Sequence, residues 1–304
     1  MDPGRALLRA SDRHVIGESR AVPGGRDERP RAVVGRHARL DLHFRYRKGR
    51  TVLAEAYVEP PFRVGGWFAE GDGVHVILAS SAPGAFGHDR WQQSVHVARG
   101  ARVRLTSQSA LQVHPSPDGA TAQLQSVYRV ESDAQLHCEW HPLIPFARAR
   151  IDQRIEIDIA GDGYLYWSDA LMSGRHARGE RWTFASLAHE IAVSRDGSLE
   201  YLERYRIRPD EVDVSRPWAA GEASYLGTTL VSGRPIEPGA AERLHIELGR
   251  FAGVRAAADV LDHHVLLVRL LSAFGPAFHD ARRWISPGWQ GGSRHACLGR
   301  PAGD

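Results

Sequence analysis

The stretch Arg150–Ile159 reads RIDQRIEIDI. Ile151, Ile155, Ile157 and Ile159 fall on one side of an extended chain, and Arg154, Glu156 and Asp158 fall on the other. Successive side chains of a strand point to opposite faces, so this pattern suits a half-buried strand and no helix. LDLHFRY repeats it with Leu40, Leu42, Phe44 and Tyr46. TVLAEAYVE, VHVILA, SVHVA, ARVRLTSQ, AQLQSVYRV, YLYWS, WTFASLAHEIAV and SLEYLERYRI follow at close spacing. About a dozen short strands with no long helix between them exclude a βαβ architecture. The pattern predicts a mainly β fold, a layered antiparallel or solenoid-like body with a few short helices near the C-terminus. Gly100, Asp118-Gly119, Gly161-Asp162-Gly163 and Asp196-Gly197 sit where hairpin turns are expected, because Gly and Asp tolerate positive φ.

The alternation begins at about residue 37. Residues 1–36, rich in Gly, Pro and Arg, have no apolar period and are expected to be a disordered arm. Residues 37–210 form the β-rich core, and 211–288 complete the same domain with loops and short helices. In PGAAERLHIELGRFAG, Ala241, Leu244, Leu248 and Phe251 share a helical face. VLLVRLL (265–271) reads as a buried strand, and PAFHDARRWI as a last helix with Pro276 near its start. Residues 289–304 are expected to be a disordered tail.

Charge excludes one broad class of partner. The chain of 304 residues carries a net charge of +3. Eight arginines and five acidic residues of the arm account for all of it, and the remainder balances at 31 of each sign. A balanced body lacks the basic stripe that neutralises phosphates, so nucleic acid is not the expected partner. No run is apolar enough to span a membrane, and the first residues lack the apolar segment of a secretory signal. The only cysteines, Cys138 and Cys297, make no C-x-x-C, which fits a reducing cytoplasm.

Three segments stand out from this regular texture. SSAPGAFGHD (Ser80–Asp89) is punctuated by glycine and ends in His88 and Asp89. It lacks the Lys-Ser/Thr of a phosphate-binding loop, and a strand follows it, so it reads as a hairpin loop rather than a nucleotide cradle. LMSGRHARGERW holds Gly174, Arg175, Gly179 and Glu180 as G-R-x-x-x-G-E, in which Arg175 is placed to fix a carboxylate bidentately. EWHPLIPFARAR is an irregular apolar crossing set by Pro142 and Pro145. G-x-S-x-G and H-E-x-x-H do not occur, so neither an α/β-hydrolase triad nor a zincin site has an anchor. The sixteen histidines are scattered. His263 and His264, adjacent on a strand, would face opposite ways.

In order and spacing these segments resemble the UreD (UreH) family of urease accessory proteins. The resemblance is carried by EPPFRVGGWFAEGDGVHVILASSAPGAFGHD, HPLIPFARAR and DALMSGRHARGERW, and further on by YLERYRIRP, RPWAAG, YLGTTLVSG and LLVRLL, from Leu40 to Trp284. The sequence departs from the family pattern at Pro83-Gly84 and Gly87-His88, where the family has Gly-Gly pairs. It also lacks a lysine in the segment Ala110–His114. It is therefore similar to a divergent member.

The resemblance implies a non-enzymatic chaperone-like scaffold in the cytoplasm. Such a scaffold bridges apo-urease to UreF and through it to the GTPase UreG, and nickel passes to the urease active site through a wet internal passage. No cofactor would be tightly bound, and Ni²⁺ would be in transit. Position by position, it implies Asp89, Asp72 and Asp169 as passage-lining residues; His88 and His75 join them as candidates on the nickel affinity of imidazole, since the family has no histidine at the position of His88. It also implies Arg175 and Glu180, with Gly174 and Gly179, as holders of a loop or a partner surface, and residues 239–285 as a UreF-facing or packing portion. Oxygen ligands with water suit an ion that must be released better than a closed Cys/His cage. Trp67, Phe68 and Phe86 are candidates for an apolar partner surface or for core packing. Two other readings stay open: a metal-dependent β-sandwich enzyme, and an interaction module unrelated to nickel.

Overall fold

The chain is built of strands that alternate between two stacked sheets. The computed structural model describes residues 35–233, 236–261 and 264–286. Most of the predicted arm, the tail, His263 and Cys297 lie outside them. In chain order the strands are β1 (His37–Arg47), β2 (Arg50–Val58), β3 (Phe62–Glu70), β4 (Gly73–Ser80), β5 (Arg90–Val97), β6 (Arg102–Ser107), β7 (Leu111–Val113), β8 (Ala122–Val130), β9 (Gln135–Glu139), β10 (Leu143–Pro145), β11 (Arg150–Ile159), β12 (Tyr164–Met172), β13 (Ser186–Arg195), β14 (Ser198–Ile207) and β15 (Tyr225–Ser232). Then come helix α1 (Ala240–Leu248), β16 (Val254–Leu261), β17 (Val265–Ser272) and helix α2 (Gly275–Ile285). Both helices and the last strand fall where the periodicity places them.

One sheet has the order β14-β13-β11-β8-β5-β1-β2, and the other β16-β17-β15-β12-β9-β6-β4-β3, with β7 and β10 attached beside β12. Apart from the short β7 and β10, which stay with the second sheet, from β4 to β13 the chain steps from one sheet to the other and back, landing each time from β6 onward beside the last long strand it laid in that sheet. That path makes β5, β8, β11 and β13 parallel neighbours, and likewise β4, β6, β9 and β12. The body is thus solenoid-like, with stacked β coils. Antiparallel pairs flank it: β1–β2, β3–β4, β13–β14 and β12–β15–β17–β16. The difference from an all-antiparallel reading has a simple cause. A strand with one buried face alternates identically whether its neighbour runs parallel or antiparallel, so period alone cannot choose. For the same reason Gly100, Asp118-Gly119 and Gly161–Gly163 are not hairpin turns but corners between sheets, whereas Asp196-Gly197 does close the β13–β14 hairpin. Ser80–Asp89 is also a crossing, from β4 in one sheet to β5 in the other.

The inward faces form two apolar clusters. One holds Leu40, Phe44, Val76, Leu105, Ile157 and Trp167, and the other holds Trp91, Val113, Ile151, Leu171 and Leu187, all buried. Each such side chain contributes about 1.5–3 kcal/mol on burial. A third cluster lies on the outer face of the second sheet. There Leu244 and Leu248 of α1 and Phe278, Ala281 and Ile285 of α2 pack on Tyr166, Leu266 and Val268. Arg282 of α2 is fastened there by hydrogen bonds to Ser168 Oγ (2.8 Å) and to the Trp140 carbonyl (3.0 Å).

Candidate functional site

The three irregular segments meet at one end of the coils. The Phe86 ring stacks on His114 at 4.2 Å between centroids, and His114 meets Phe146 edge-on at 5.0 Å. The Arg175 guanidinium lies 3.9 Å over the Phe146 ring. Arg175 is also bidentate to Glu180, its Nε donating to Oε2 at 2.8 Å and its Nη2 to Oε1. Glu180 accepts from the Ala147 amide as well (3.3 Å). Hydrogen bonding to Arg175 holds the Glu180 carboxyl below its ordinary pKa. So the G-R-x-x-x-G-E segment clamps its own loop and the Ile144-Pro145-Phe146 crossing together. Gly174, at φ 144°, passes so close that a Cβ there would lie 2.9 Å from the Glu180 carbonyl oxygen. Gly179 ends a short 3-10 turn in the left-handed region.

Asp89 belongs to this end. It is 2% exposed, and its oxygens accept from the Arg36 amide (2.8 Å) and the Phe86 amide (3.0 Å). A carboxylate bound twice to backbone N–H groups pins the loop 86–89 to the strand entering at residue 36. His88 has φ 70°, the left-handed backbone that a glycine takes more easily. Its ring bonds Asp118 Oδ2 at 2.8 Å, and that bond leads the Ala120 and Ser116 bonds in bringing the Asp118 carboxyl down to about 2.

Asp72 and His75 lie elsewhere, at the β3–β4 hairpin. Asp72 pairs with Arg102. The His75 ring bonds Thr106 Oγ1 (2.8 Å) and approaches Glu70 (3.5 Å). His75 alternates with the buried Val74 and Val76, so its side chain is on the outer face of its sheet.

Asp169 is different again. It points inward from β12, on the face that carries Trp167 and Leu171. Between the two sheets is a cavity of about 900 Å³, and Asp169 lines it. Asp89, Asp72, His88 and His75 are not among its lining residues. The cavity wall has a polar waist lying between the two apolar clusters. In the first sheet this waist consists of Gln93, Ser126, Gln153 and His189. In the second, Asp169 sits opposite Thr228 and Thr228 opposite Arg269. Glu203 and Tyr205 of β14 also line it. Arg269 Nη1 donates to Glu203 Oε1 (2.7 Å) and Thr228 Oγ1 (2.9 Å), and its Nη2 donates to the Tyr201 hydroxyl (2.8 Å). Tyr201 in turn donates to Glu203 Oε2 (2.9 Å). Burial alone would lower the Arg269 pKa, but the bonded Glu203 carboxylate outweighs it, and the guanidinium stays charged. Asp169 Oδ2 accepts from the Trp167 indole (3.0 Å). His189 bonds Gln153 (3.1 Å) and stacks on Tyr205.

A space of this size with carboxylate, amide, hydroxyl and imidazole groups on its wall satisfies the conditions for internal water. Among the described residues, no group of three or more His, Cys, Asp or Glu converges to hold a metal ion. Burial pushes the Cys138 thiol well above its ordinary pKa, so it is no thiolate ligand. The arrangement offers single oxygen ligands with room for water between them.

Reading the sequence did not single out Gln153, His189, Glu203 or Arg269. Glu203 and Arg269 lie within the quoted segments YLERYRIRP and LLVRLL, and the further signal was polarity on the inward face: Gln153 interrupts Ile151 and Ile155, His189 interrupts Leu187 and Ile191, and Arg269 interrupts Leu267 and Leu271. A polar residue in register with core positions breaks binary patterning and marks a functional interior.

Fold and site together define a solenoid-like β protein with a cavity between its sheets, largely apolar but crossed by a band of polar side chains, and with a braced loop end. Residues 36–304 match the family model described as UreD urease accessory protein. The chain is 33% identical over 204 residues to the urease accessory protein UreD of Sorangium cellulosum, which covers 67% of this chain and 64% of that protein, a little under two thirds of its length. It is 33% identical over 264 residues to the UreD of an Azoarcus species, covering 85% of this chain and 89% of that one. The UreD of Herpetosiphon aurantiacus is 28% identical over 246 residues, 78% of this chain. The chain belongs to the UreD urease accessory protein family, whose members are named as accessory proteins and not as enzymes.

Proposed function

We propose that the protein is a cytoplasmic scaffold for nickel insertion into urease. It bridges the urease apoprotein to UreF- and UreG-type partners and lets Ni²⁺ pass through its interior. The observation that carries this reading is the polar waist of the 900 Å³ cavity, with the Asp169 carboxylate on its wall. Nickel is cargo here, not a resident cofactor. An aquated dication needs oxygen ligands it can exchange, and one or two carboxylates in a wet cavity supply a resting point without a cage. Family membership supports the urease connection. The exposed rings of Trp67 (64%) and Phe68 (52%) on β3 support a protein partner at that edge. No helix of the described residues is long and apolar enough to cross a membrane.

In this reading Asp169 is the passage residue, and Asp89, Arg175 and Glu180 shape the loop end. Asp72, His75 and His88 stand outside the cavity wall, paired with neighbouring side chains. The test is co-expression of urease and its accessory partners with wild-type chain or Asp169→Asn. The expected result is an intact accessory complex and a several-fold fall in the nickel content and activity of the purified urease. Unchanged nickel content would refute the passage.

A further inference from the structure

The waist places a fixed positive charge where a cation carrier would be expected to avoid one. Glu203 and Asp169 both face the cavity, yet Arg269 lies among them and forks to Glu203, Thr228 and Tyr201. Both Glu203 oxygens are occupied, one by Arg269 and one by the Tyr201 hydroxyl. Asp169 is held only on Oδ2, by the Trp167 indole, among the hydrogen bonds the structure gives it. The two acids on the wall are therefore not equivalent: one has both oxygens bonded, to a cation and a hydroxyl, and the other is bonded at one oxygen by an indole.

We propose that Arg269 is a built-in counter-ion, which keeps Glu203 occupied and holds the cavity's affinity for a divalent cation low enough for release. This rests on the reading of the cavity as a nickel passage and assigns the residue that sets its affinity. Two free carboxylates facing one cavity would bind a dication strongly, because their fields add in a medium less screening than water. A guanidinium competes for one of them and also repels the ion. A guanidinium remains charged at any working pH, and its rigid fork holds a carboxylate and hydroxyls in a fixed geometry, where a lysine offers a flexible point charge. The ion can then pause at Asp169 and move on.

The test is equilibrium dialysis of the full-length chain against Ni²⁺ alone, comparing wild type, Arg269→Met, Glu203→Gln and Asp169→Asn, with thermal melting as the check on folding. Arg269→Met frees Glu203 and is expected to tighten Ni²⁺ binding by about tenfold or more. Glu203→Gln strips Arg269 of its partner and is expected to weaken binding several-fold. A merely structural ion pair would move both variants the same way, so the opposite signs are the signature. Should Arg269→Met fail to fold, Arg269→Lys retains the charge without the fork and is expected to fall between wild type and the predicted Met value. Equal or same-direction changes in the Arg269 and Glu203 variants overturn the proposal. If Asp169→Asn weakens binding while Arg269 variants do not tighten it, the passage stands and the counter-ion falls. If all four proteins bind alike, the passage falls too.

Discussion

The loop end and the waist both hold carboxylates, and they use them oppositely. At the loop end Asp89 and Glu180 spend both oxygens on protein donors: backbone amides for Asp89, and Arg175 with the Ala147 amide for Glu180. At the waist Asp169 lies on a cavity wall with one oxygen held by an indole. The first arrangement stabilises a shape, and the second leaves chemistry available. The loop end is conspicuous in sequence because backbone crossings need Gly and Pro, and a clamp needs a charged pair at short spacing. The waist is inconspicuous because its members are spread over eight strands, one each from β5, β8, β11, β12, β13, β15 and β17 and two from β14.

The comparison breaks first at Asp89. Asp89→Ala leaves two amides without their charged acceptor near a buried position, and should cost about 3 kcal/mol. Denaturant unfolding should show this, with Asp169→Asn shifting stability by less than about 1 kcal/mol. Equal losses for the two would erase the distinction between a shaping and a passage carboxylate. Next, Gly174→Ala should cost about 2 kcal/mol, from strained backbone and a Cβ against Glu180. A melt unchanged from wild type would show that the clamp tolerates a wider loop.

A smaller effect is expected from pH. Burial lowers the pKa of His137 and, together with the nearby Arg104 charge, that of His75, both from 6.5. The unfolded chain then takes up protons before the folded one does. The stability these neutral rings contribute is present above pH 6.5 and is lost as pH falls through their folded values. The melting temperature should drop by a few degrees between about pH 7.5 and 5.5. A flat profile would mean that these rings accept protons in place. The smallest change is expected at the surface. Trp67→Ser should alter stability by less than about 0.5 kcal/mol while reducing self-association in light scattering. A large destabilisation would place Trp67 in a packing role.

Much of the β body was legible beforehand because burial on one face imposes period two wherever it occurs. Ile151, Ile155, Ile157 and Ile159 are all buried, as their alternation requires. The helical spacing of Leu244 and Leu248 and the proline at the start of α2 likewise report local physics. The parallel pairing of β5, β8, β11 and β13 was not legible, since pairing partners do not alter the period. Nor was the clustering of Phe86, His114, Phe146 and Arg175, which depends on loops far apart in sequence.

By itself, then, the sequence determined which residues turn inward, where the chain bends, and, through the order of its motifs, the family. Local geometry settles such things: alternation, φ preference and proline's fixed ring act over a few residues. Only the tertiary structure decided that Asp89 is sealed by backbone amides while Asp169 meets a cavity with Arg269 and Glu203 nearby. The setting of a carboxylate depends on what distant strands bring against it, and no short window of residues carries that information.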